Sequence, residues 1–153
     1  MKQEYIEVLE ERLKTKGYVF DKRCKEGKVT FVIYMQTVSQ SALCIELEMN
    51  ENGVGRLFCN VIPTFPGKNR DAVEKELNRL SFLSEMVKFE IEEESIVAVS
   101  GFDIRKVEVE RADDITLILF STLHTFKNEI EIALPGILYT IYKSDIKNTR
   151  SSI

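Results

Sequence analysis

Residues 54–91, VGRLFCNVIPTFPGKNRDAVEKELNRLSFLSEMVKFEI, change their periodicity twice, and those changes decide the fold. The first segment, Val54–Ile62, reads as a strand. Pro63 and Pro66 end it, because proline cannot donate to a β-ladder. Asn69 stands where a helix cap is expected and Asp71 suits the first turn. Ala72, Val73, Leu77, Leu80 and Leu83 then recur on one helical face, which predicts a helix over 70–83. Val87, Phe89 and Ile91 alternate again. A turn at Glu93-Glu94 leads to a partner strand at 96–99, so a second hairpin follows the helix.

Upstream, Tyr5, Ile6, Leu9 and Leu13 recur at helical spacing and Gly17 offers a stop, predicting a helix over 2–16. Val29, Phe31, Ile33 and Met35, and then Leu43, Ile45, Leu47 and Met49, alternate with more polar neighbours. Period two with one apolar face means half-buried strands. Glu26-Gly27 separates a short strand at 18–25 from the next, and Asn52-Gly53 signals a hairpin before Val54. Four antiparallel strands therefore follow the first helix. Residues 102–111 are charge-rich and read as a loop or edge strand.

Downstream, Ile115, Leu117, Ile118, Leu119, Phe120, Leu123 and Phe126 make a helix over 112–127 that is apolar nearly all round. One apolar stripe suffices for a core, so a second apolar side needs another partner. Pro135-Gly136 predicts a break, with a short final helix starting near Pro135 and carrying Ile137, Leu138 and Ile141. The polar tail over 144–153 is expected to fray. The whole, residues 1–153, is a single domain of α+β class: an antiparallel sheet with helices packed on one face.

Composition narrows the chemistry. The 153 residues are 44% hydrophobic and 30% charged, with a net charge of −4. A chain of that length buries roughly 68–70% of its unfolded surface, enough for an ordinary core. The acidic balance disfavours a phosphate backbone as partner, and Lys22, Arg23, Lys25 and Lys28 are interrupted by Asp21 and Glu26. Nucleic acid is therefore not an expected partner. Nor is a membrane: the longest uncharged apolar run, 115–126, is too short to span a bilayer as a helix. The start, MKQEYIEVLE, carries three glutamates and does not read as a signal peptide. Three cysteines without a CxxC spacing suggest reduced thiols and a cytoplasmic setting, with Cys44 and Cys59 as core residues.

Residue-level support for catalysis is absent. Gly67-Lys68 fails as a phosphate loop, since Ile62 stands where glycine is required and Asn69 where serine or threonine is required. His124, the one histidine, lies within apolar sequence, with no base or thiol tied to it by spacing. The glutamates at 7, 10 and 11 and at 90, 92, 93 and 94 fit solvated faces. No catalytic residue, cofactor or metal is expected.

The stretch NVIPTFPGKNRDAVEKELNRLSFLSEMVKFEIEEESIVAVSGFDI resembles the YbjN-like family of bacterial sensory transduction regulators. Arg70 early in the middle helix, Asn78 and Leu80 near its end, and the strand pair opening at Lys88-Phe89 carry the resemblance. The charged 105–111 segment departs from that family's pattern. The element order is similar to that of type III secretion chaperones. The resemblance implies a non-enzymatic protein-binding or chaperone-like regulator acting as a homodimer. On that reading Val32, Tyr34 and Phe58, with Cys44, present a partner-binding sheet face, and Leu117, Phe120 and His124 form a dimer interface. The alternative is a small-molecule or anion-binding sensor using the 63–70 loop, with Lys68, Asn69 and Arg70 at a helix N-terminus.

Overall fold

A computed structural model describes residues 3–38, 42–50, 53–103 and 112–151. Helix α1 (Gln3–Thr15) buries Leu9 and Leu13 completely. Gly17 ends it at φ +78°: its N–H bonds the Lys14 carbonyl while Tyr18 N–H reaches back to Leu13. That is the Schellman arrangement, whose left-handed residue favours glycine. Strands β1 (Val19–Lys25) and β2 (Lys28–Gln36) pair antiparallel with Lys25 opposite Lys28. Between them Glu26 and Gly27 both take positive φ, the two-residue turn whose twist matches the flanking strands.

Strands β3 (Ala42–Asn50) and β4 (Val54–Ile62) continue the meander. A single 3-10 turn, Gly67–Asn69, leads into α2 (Arg70–Leu83), which is followed by β5 (Lys88–Glu92) and β6 (Ser95–Asp103). All six strands form one antiparallel sheet in the order β1-β2-β3-β4-β6-β5. The second hairpin thus docks on β4 through β6. β5 accompanies β6 only from Ser95 to Val99, and pairing with β4 alone carries β6 on to Asp103, so residues 102–103 take the edge-strand form of the two expected. The 105–111 segment lies outside the described residues.

One face of this sheet makes the core. Phe31, Ile33, Ile45, Leu47, Met49, Leu57, Cys59, Ile96 and Ala98 are buried there with side chains of all three helices. The expected class and element order are therefore the observed ones. Several local expectations are corrected. Cys44 is exposed rather than buried, because it falls one position off the core-facing set of β3. Leu83 is exposed at the end of α2, beyond the last turn that meets the sheet. The C-terminal region is one helix, α3 (Ala112–Ser151), of 40 residues, with Pro135 inside it.

The reason for that continuity is register. Leu119, Phe120, Leu123, Phe126, Ile130, Ala133, Ile137 and Ile141 form one buried helical stripe that runs through Pro135 without a phase change. Proline within a helix costs about 3 kcal/mol. Keeping Ile137 and Ile141 buried is worth roughly 1.5–3 kcal/mol each, which offsets that cost. Pro135 itself faces solvent. Gly136 next to it permits close approach of α2, since a Cβ there would sit 3.3 Å from Glu76 Oε1.

Candidate partner-binding surfaces

The sheet face opposite the helices carries the first set of expected partner residues. Register places Val19, Tyr34 and Cys44 in one row across β1, β2 and β3. Asp21, Val32, Glu46, Phe58 and Val99 make the next row. Tyr34 is 42% exposed, and Val19 and Cys44 beside it are exposed too. Phe58 is half-buried, with the Arg56 guanidinium 5.6 Å from its ring centroid. Val32 is corrected: at 3% exposure it is covered by its own neighbours and offers no surface. In register it is flanked by Asp21 of β1 and Glu46 of β3.

The expected interface residues of α3 are divided. Leu117 is exposed, but Phe120 is only 3% exposed and belongs to the chain's own core. Its ring packs 5.9 Å from that of Tyr18, so it is withdrawn as an interface residue. His124 is half-buried and bonds the Tyr18 hydroxyl through Nε2 at 2.9 Å. Burial first, then Lys127 and Lys16, push the imidazole below its usual titration range.

The outward stripe of α3 went unread in the sequence because the expected break at Pro135 divided it. Leu117, Ser121, Thr125, Asn128, Ile132, Pro135, Tyr139 and Tyr142 are all exposed, at steps of three and four. Ile132 is 77% exposed and Tyr139 61%. No charged residue stands among them. The charges of this stretch, Lys127, Glu129 and Glu131, lie on the half-buried flanks, where Lys127 and Glu131 pair at 3.8 Å. A solvated helix places charge outermost, so this arrangement is inverted.

The 63–70 loop is used internally. The Asn69 amide does not cap α2; it donates to the carbonyls of Ile141 at 2.9 Å and Thr140 at 3.4 Å, clamping α3. Arg70 donates to the Glu93 carbonyl and pairs with Glu74. Lys68 is exposed at the 3-10 turn. Asn69 and Arg70 are therefore occupied by intramolecular contacts.

Elsewhere, an open groove of about 720 Å³ runs beside α1, lined in part by Glu7, Glu11, Arg12 and Lys16. Cys59 is buried and its thiol is pushed up to about 12, chiefly by desolvation. Among the described residues no group of three or more His, Cys, Asp and Glu is placed to hold a metal ion. Also among them, no helix is long and apolar enough to cross a membrane. Comparison with family models, with curated proteins and with solved structures finds no match.

Proposed function

We propose that the chain is a non-enzymatic protein-binding, chaperone-like regulator that works in the cytoplasm as a homodimer. The observation that carries the reading is the exposed row Val19–Tyr34–Cys44 on the sheet face opposite the one that the described helices cover. An aromatic flanked by small apolar groups suits the side chains of an extended polypeptide. The mixed charges of Asp21, Arg23, Glu46 and Arg56 around it provide a polar rim. The resemblance to YbjN-like regulators points the same way. The anion-sensing alternative is less favoured, since Asn69 and Arg70 already serve the fold.

Aggregation of a heat-unfolded model client, followed by light scattering, tests this. The wild-type protein is expected to delay aggregation at near-stoichiometric ratio, and Tyr34→Asp to weaken that delay at least several-fold while remaining folded. A wild-type protein without effect on any of several clients would remove the reading.

A further inference from the structure

The chain-reversed charge pattern of α3 identifies an occupant more specific than "another protein". Over residues 117–142 the outermost positions advance by four, four, three, four, three, four and three residues, the alternation that lets helices interlock knobs into holes. At 1.5 Å per residue this strip is about 37 Å long. Its apolar centre is compact: Ile132, Pro135, Tyr139 and Tyr142 follow one another at i, i+3, i+7 and i+10, with Leu138 at the side.

A second copy of this chain fits the strip best. At ordinary side-chain sizes the eight residues and Leu138 present on the order of 800 Å², about one partner's share of a standard interface. The strip also carries no charge of either sign, so placing it against its own copy about a two-fold axis opposes no like charges. Ser121, Thr125 and Asn128 at one end are uncharged and polar, with the Thr125 hydroxyl donating to the Ser121 carbonyl of its own helix. Tyr139 and Tyr142 add large apolar area while their hydroxyls stay within reach of the polar rim, the behaviour that makes tyrosine common in interfaces.

We infer that the protein self-associates through this α3 strip, two copies meeting at Ile132, Pro135, Tyr139 and Tyr142. This rests on the homodimer part of the proposed function and assigns the surface that forms it. Because the inner stripe of α3 is already buried in its own chain, association leaves the sheet face with Tyr34 open on both copies.

Sedimentation of the full chain, with Ile132→Lys and Tyr139→Lys as variants, decides the matter. Both residues are well exposed, so circular dichroism should show unchanged helix content. The wild type is expected at twice the 17.7 kDa of one chain, and each variant to weaken association at least tenfold. As a second measurement, Tyr139→Cys in a chain also carrying Cys24→Ser and Cys44→Ser should yield covalent dimers with a short thiol crosslinker, whereas Lys75→Cys in that background should not. A wild-type dimer that both lysine variants leave intact, with no crosslink at 139, would overturn the surface while sparing the homodimer. A wild type that stays monomeric at all concentrations would overturn both.

Discussion

The Tyr18 hydroxyl and His124 Nε2 lie 2.9 Å apart and tie the α1–β1 connection to the first half of α3. Burial first, and then the ammonium groups of Lys127 and Lys16, make this a poor place for a further positive charge. The folded-state pKa of His124 is thus below its ordinary 6.5, so the unfolded chain binds a proton more readily. The stability this contributes is complete above pH 6.5 and drains away as pH falls through the depressed folded value. Thermal unfolding between pH 7.5 and 5.5 should show a decline that His124→Phe reduces. An identical pH profile in the two proteins would contradict the assignment.

The role of Asn69 is separable from capping. Aspartate is as good a helix cap as asparagine but cannot donate to a carbonyl. Asn69→Asp should therefore destabilise the fold by about 1–3 kcal/mol, since it places a carboxylate against the Ile141 and Thr140 carbonyls. Urea unfolding measures it; a neutral substitution would mean that the cap, not the clamp, is what Asn69 provides.

Pro135 is expected to be a cost that α3 tolerates. Its replacement by alanine restores a backbone donor within a helix already continuous there. Pro135→Ala should raise stability by roughly 1–3 kcal/mol and leave helix content by circular dichroism nearly unchanged. Loss of stability would indicate that the Pro135 ring itself is needed for packing.

Gly55 is fixed by space. A Cβ there would collide with the Glu48 carbonyl and with the Phe102 ring, which lies over it from β6. Gly55→Ala should cost about 1–3 kcal/mol, and trimming Phe102 at the same time should recover part of it. Chemical denaturation of the single and double variants provides the cycle.

The Glu10–Lys22 pair, 2.9 Å apart, joins α1 to β1. Its hydrogen bond to Lys22 holds the Glu10 carboxyl below 4.5, and the same bond raises Lys22. The stabilisation is present above pH 4.5 and lost as pH falls through the lowered folded value. Both side chains are a quarter exposed, so Glu10→Gln should cost under about 1 kcal/mol near neutral pH. Urea midpoints at pH 7 and pH 3 should differ less in the variant than in wild type.

Periodicity was enough to place the strands and the first two helices. Val54–Ile62 and Arg70–Leu83 stand where alternation and helical spacing put them, because Leu57, Cys59, Val73 and Leu77 must reach the same core. Glu26-Gly27 and Gly17 were likewise readable, since positive φ is a local demand that few residues meet. Long-range packing overrode the remaining local signals. Pro135 looks like a terminator until Ile137 and Ile141 are seen to share the buried stripe of Phe126 and Ile130. Asn69 looks like a cap until α3 arrives beside it. Val32 and Phe120 look available as partner surface until neighbouring strands and Tyr18 cover them. Alternation and spacing say which residues share a face. Only the assembled tertiary structure says which faces meet another part of the same chain, because burial is a property of pairs distant in sequence.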